Sequence, residues 1–124
     1  MNSKEKGDLA ASQCIAYYMG KEYEVLLPIG DKKPYDMVVD MDGLKKVQCK
    51  YTSHKGKSGK YKVPLRVMGG NQSYHTAKTY SEGDFDILFV LTENKDRYEI
   101  PYSAIKGYTS TITLDKNVNK YKIV

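Results

Sequence analysis

The chain has no tryptophan, only two phenylalanines, two cysteines, two histidines and four prolines in 124 residues. With only Cys14 and Cys49, and no Cys/His spacing that suits zinc, neither a disulfide framework nor a zinc module can be built. Two reduced core thiols in a cytoplasmic protein are the expectation. No stretch reaches the length of about 18 apolar residues that a membrane helix needs, and no signal-peptide pattern is present, so no membrane partner is expected. Repeats and linkers are absent, which leaves residues 1–124 as one domain, long enough for a core of its own. What is abundant is positive charge, +5 net with a pI near 9.0, and tyrosine, of which there are twelve. The charge leans towards a polyanionic partner, and tyrosine is first of all a strand residue.

Along the chain, residues 3–19 read as a helix with Ser3 as N-cap and Gly20 as its stop. Its stripe Ala11, Ile15 and Tyr18 is expected to face a sheet, with Asp8 one turn earlier on the same side. Tyr23 to Leu27 reads as a strand closed by Pro28, and residues 30–34 as a loop. Lys60 to Met68 reads as a further strand, at an edge or bulged because of Pro64. Residues 74–81 suggest a short helix. The apolar run Ile87-Leu88-Phe89-Val90-Leu91 predicts a buried central strand over Asp86 to Thr92. A turn at Asn94-Lys95-Asp96, a strand from Arg97 to Tyr102, a helical turn at 103–106 and weak strands at 109–114 and 120–124 complete the pattern.

The stretch from Pro34 to Lys50 organises the rest. Tyr35 to Met41 is rich in strand formers, Asp42-Gly43 signals a turn, and Lys45 to Thr52 is a second strand. Side chains alternate along a strand, so Gln48 and Lys50 share one face while Val47, Cys49 and Tyr51 share the other. Matching apolar faces across the hairpin requires facing residues whose numbers sum to an even value, for example Asp36 opposite Lys50. A two-residue turn gives an odd sum, so the expectation is a three-residue or bulged turn that gathers Asp36, Gln48 and Lys50 on one side.

An acid, an amide and a lysine converging on a half-buried sheet are unusual in a plain core. The pattern P-Y-D-(x)11-Q-C-K resembles the PD-(D/E)XK nuclease superfamily, in particular small endonucleases of the group I intron homing type that carry Gln in place of the second acid. The likeness extends to Lys6-Gly7-Asp8-Leu9-Ala10, to Pro28-Ile29-Gly30-Asp31, and to Gly83-Asp84-Phe85-Asp86 ahead of the apolar strand, about residues 6–102. It implies an α/β fold: a mixed sheet with the N-terminal helix packed on it, the restriction-endonuclease-like αβββαβ core. It also implies magnesium-dependent hydrolysis of double-stranded DNA at a specific site. One active site per chain makes a homodimer or homotetramer the expected cutter of a duplex. A Holliday-junction resolvase and a DNA-binding domain with an inactivated site are the alternatives.

The resemblance carries roles onto residues. Asp36 is the main metal ligand, joined by the neutral oxygen of Gln48 and the backbone carbonyl of Cys49, with Lys50 orienting the attacking water and stabilising developing charge. Family members supply a further helix acid in a pattern like G-D-L-A-E, and here Ala11 stands at the Glu position. Asp8 is a nearby but shorter substitute. Lys55, Lys57, Lys60, Lys62 and Arg66 form a basic segment free of acids, expected to contact phosphates. Arg66, Asn71, Gln72 and Tyr74 carry side chains suited to reading base edges.

Overall fold

The computed structural model describes residues 1–30, 32–67, 78–108 and 110–124. Helix α1, Ser3–Gly20, opens on a capping box: the Asn2 side chain accepts from the Glu5 N–H at 2.9 Å, and the Glu5 carboxylate accepts from the Asn2 N–H at 3.0 Å. The cap is therefore Asn2 and not Ser3, because it is Asn2 that leaves helical geometry and has a side-chain oxygen in reach. The buried stripe is Ala10, Cys14 and Tyr18, with Ala11 and Ile15 on its half-buried flank. The packed face is thus rotated by about one residue from the expected stripe. None of the helices among the described residues is long and apolar enough to cross a membrane.

Six strands make the main sheet: β1 (Glu24–Leu26), β2 (Met37–Asp40), β3 (Leu44–Thr52), β7 (Ile87–Thr92), β8 (Arg97–Pro101) and β10 (Lys122–Ile123). They lie side by side in the order β1-β2-β3-β7-β8-β10. Strands β3 and β7 run parallel, and every other neighbouring pair is antiparallel. The expected central strand is β7, buried along almost its whole length. Two small ladders stand apart from this sheet: β4 (Lys62–Pro64) pairs with β9 (Thr111–Thr113), and β5 (Arg66–Val67) with β6 (Lys78–Thr79). Pro64 sits in a two-stranded ladder, where a missing N–H costs least. Residues 78–79 are strand rather than the end of a helix, and 74–77 lie outside the described residues. Among the described residues α1 is the only α-helix, so the second helix of the expected αβββαβ order is not found there.

The sheet separates two apolar clusters. On the α1 side, Cys14 and Tyr18 pack with Met37, Val39, Val47 and Phe89. Tyr18 is fully buried and donates to Glu99 Oε2 at 2.7 Å. Burial, reinforced by that carboxylate, pushes the phenol well above its usual pKa, so it remains a donor. On the other side, Phe85, Leu88, Val90, Tyr98 and Ile100 pack with Val63, Leu65, Ile112 and Leu114. The short strands β4 and β9 therefore form a cover over the far face.

Candidate active site

The β2–β3 hairpin carries the candidate residues, and its register follows from its turn. Asp40 faces Leu44 and Met37 faces Val47, so Met41-Asp42-Gly43 is a three-residue turn and facing residues sum to an even number. Asp42 and Gly43 both take positive φ, 58° and 127°, which suits Gly and is tolerated by Asp. Continuing the ladder puts Asp36 level with Gln48, two residues along β3 short of the Asp36–Lys50 pairing. The parity holds, so the faces sort as expected. Val47 is buried and Cys49 half-buried towards α1, while Gln48 and Lys50 run beside Leu88 and Val90 on the far face.

Pairing with β2 stops at Met37–Val47, but β3 continues to Thr52 against β7 alone. Beyond Val47 the β2-side edge of β3 is vacated. Asp36 fills it: its N–H donates to Val47 O at 2.8 Å, and its Oδ2 accepts from the Cys49 N–H at 2.8 Å. A carboxylate has replaced a backbone carbonyl as ladder acceptor. The N–H and C=O of one strand residue point to the same side, so the Cys49 carbonyl also faces this edge. The Gln48 amide nitrogen approaches it at 3.5 Å.

Charge is arranged unevenly here. Desolvation raises the Asp36 carboxyl pKa, opposed by the Cys49 N–H and the Lys50 ammonium. Asp36 as a residue is open to solvent, which limits that push. Burial lowers the Lys50 pKa and Asp36 pulls it back up. Lys50 Nζ donates to Arg66 O at 3.4 Å and lies 5.5 Å from the centroid of the Tyr80 ring. Tyr80 is a residue that nothing in the sequence singled out among twelve tyrosines. Burial first, then Asp36 and Asp84, push that phenol up and keep it protonated.

The donor set suits a hard cation at its lower limit. One carboxylate, one amide oxygen after a simple flip of Gln48, and one backbone carbonyl are grouped around Cys49, with Asp36 exposed to solvent. No group of three or more His, Cys, Asp or Glu side chains that could hold a metal exists among the described residues. The helix does not repair this as it stands. Asp8 points outward, two-thirds exposed, paired with Lys4 at 3.0 Å and away from the packed stripe on which it was expected. Ala11 is half-buried against the cluster that contains Met37, the sequence neighbour of Asp36, and Cys49, the neighbour of Lys50, packs against the same cluster.

The basic segment lies directly after β3. Lys57, Lys60 and Arg66 are exposed, Lys55 lies 4.9 Å from the Tyr61 ring centroid, and half-buried Lys62 runs its stem against Gly56. Arg66 is tied to the site through the bond from Lys50 to its carbonyl. Asn71, Gln72 and Tyr74 lie outside the described residues. Reading by composition passed over Lys33 and Lys46, which line a hollow of about 290 Å³ together with Asp84 and with Tyr35, the sequence neighbour of Asp36. Asp84 and Asp86 serve the backbone: they accept from the N–H groups of Ser81 and Lys46 at 2.7 and 2.8 Å.

The model of one family, PD-(D/E)XK endonuclease, matches residues 1–122. The chain belongs to this family. Among solved structures, a bacterial homing endonuclease, I-Ssp6803I, superposes with a TM-score of 0.80 at 31% sequence identity, covering 94% of this chain and 80% of that one. No curated protein sequence matches. Membership of the PD-(D/E)XK endonucleases accounts for the α/β architecture with a helix on a mostly antiparallel sheet.

Proposed function

We propose that this endonuclease hydrolyses phosphodiester bonds in double-stranded DNA at a specific site, with magnesium, in the manner of a homing enzyme and as a homodimer or homotetramer. The observation that carries this reading is the Asp36 carboxylate bound to β3 at Cys49, with Gln48 and Lys50 on either side of Cys49 along that strand and Lys50 close enough to act on the Asp36 charge. Asp36 supplies the one charged ligand, with the Gln48 and Cys49 carbonyl oxygens completing the protein's share. Bound magnesium supplies charge neutralisation on the phosphate and a more acidic water. Lys50, held away from bulk solvent, orients the attacking water and offsets the negative charge that builds on the phosphate oxygens. Lys55, Lys57, Lys60, Lys62 and Arg66 hold the backbone of the same duplex, with Asn71, Gln72 and Tyr74 as the candidates for reading bases. A second reading, a DNA-binding domain with an inactivated site, draws on Ala11.

Binding and cleavage of a linear duplex and of a four-way junction, over a salt series in magnesium, test the proposal. The duplex is the expected preferred substrate; preference for the junction indicates a resolvase instead. Binding weakens steeply with salt, and Lys57→Ala or Lys60→Ala weakens it about equally on all sequences and flattens the log–log slope by up to roughly one unit each. An unchanged slope in both variants removes this segment from the interface.

A further inference from the structure

We propose that Tyr80 is a positioning residue for the reaction, its ring face holding the Lys50 ammonium at the working edge of β3; this rests on the reading of Lys50 as a catalytic group. Lys50 is half-buried, and a buried ammonium needs something to replace water. Among the described residues it has no carboxylate within ion-pair distance. What it has is the Arg66 carbonyl at 3.4 Å and the Tyr80 ring centroid at 5.5 Å, within the range at which a ring quadrupole attracts a cation.

The ring is a fixed wall rather than a loose surface group. It meets Phe85 edge-on at 4.8 Å, Phe85 is 1% exposed, and Phe85 in turn meets Tyr102 edge-on at 5.4 Å. Through this stack the far-face core sets where the ring stands, and the ring sets where Nζ can go. Tyr80 follows β6 directly, whereas Asp36, Gln48 and Lys50 all belong to the β2–β3 hairpin. The site is thus closed by a residue from a separate part of the chain. An aromatic face suits this task better than an acid. It favours the ammonium without forming an ion pair that would neutralise it, so the charge stays available to the phosphate.

The test compares the parent chain, Tyr80→Phe and Tyr80→Leu, each also carrying Ala11→Glu. Single-turnover cleavage, duplex affinity and the proton resonances of the Lys50 ε-methylene are measured. The ring face shifts those protons upfield in the parent and in Tyr80→Phe, and the shift is lost in Tyr80→Leu. Tyr80→Leu cuts roughly 10- to 100-fold more slowly, the scale on which a small misplacement of a reacting group costs rate. Its affinity for the duplex stays within about twofold, since Lys50 acts on the reacting phosphate and not on overall binding. Tyr80→Phe, which keeps the ring, restores the rate towards the parent's. Tyr80→Leu cutting at the parent rate overturns the proposal, and so does a Phe variant as slow as the Leu variant. An ordinary Lys50 shift in the folded parent does the same without reference to cleavage. If no chain cuts at all, the nuclease reading has failed and the catalytic part of this proposal falls with it, while the Lys50 resonance still decides the contact.

Discussion

Ala11→Glu raises the single-turnover rate of duplex cleavage in magnesium by roughly 10²- to 10³-fold over a parent that cuts weakly, the scale of one well-placed charge-stabilising group. The proposed metal site offers a single carboxylate, Asp36, and α1 adds none beside it: Asp8 is turned outward to Lys4. Ala11 lies on the packed flank of α1, against the same apolar cluster that holds Met37 and that Cys49 packs on. The vacated edge of β3 is where the α1 side of the sheet meets the side of Gln48 and Lys50, because β2 no longer separates them there. A glutamate reaching this edge adds the second hard anionic oxygen that magnesium sites commonly use. Without metal, the same substitution weakens duplex binding, since it brings negative charge to phosphate. Ala11→Gln adds length without charge and gives no comparable gain. If instead the parent cuts well and Asp8→Asn abolishes cutting, Asp8 fills the role. Robust cutting that survives Asp8→Asn shows this account of the metal site to be wrong.

Asp36→Asn, placed in the Ala11→Glu chain, removes that activity by a similar factor, about 10²- to 10³-fold. The substitution is isosteric, and the introduced amide oxygen can still accept from the Cys49 N–H, so the edge of β3 keeps its geometry. What disappears is the charge. Burial already disfavours the ionised form of Asp36, so its neutral replacement costs little or no thermal stability. Loss of cleavage with an unchanged unfolding midpoint is therefore the expected pair of results. A large fall in the midpoint indicates a structural aspartate; full cleavage by the Asp36→Asn chain removes this residue from the chemistry.

Much of this was legible because the hairpin obeys local rules. Alternation of Val47 and Cys49 with Gln48 and Lys50, and the parity argument for the turn, depend only on side-chain period and on the match of apolar faces. The run Ile87 to Leu91 announced a strand buried on both faces for the same reason. The helix was harder. Its apolar residues are small and spread around it, so the choice between Ala10–Cys14–Tyr18 and Ala11–Ile15–Tyr18 turns on tertiary packing, and with it the aim of Asp8. Tyr80 could not be found from spacing. It reaches Lys50 only because β6 and Phe85 carry it there across thirty residues of sequence. The vacated edge of β3 likewise follows from where β2 begins, one residue after Asp36, and a propensity pattern does not resolve a boundary that finely.

The most direct test of the central claim is anomalous diffraction from crystals of the chain bound to a DNA duplex and soaked in manganese, a heavier stand-in for magnesium. The account predicts a manganese peak in direct contact with the Asp36 carboxylate, joined by the Cys49 carbonyl oxygen and a phosphate oxygen, at distances of about 2.0–2.3 Å. Manganese bound elsewhere, with the Asp36 carboxylate engaged only by the Cys49 N–H, would contradict it.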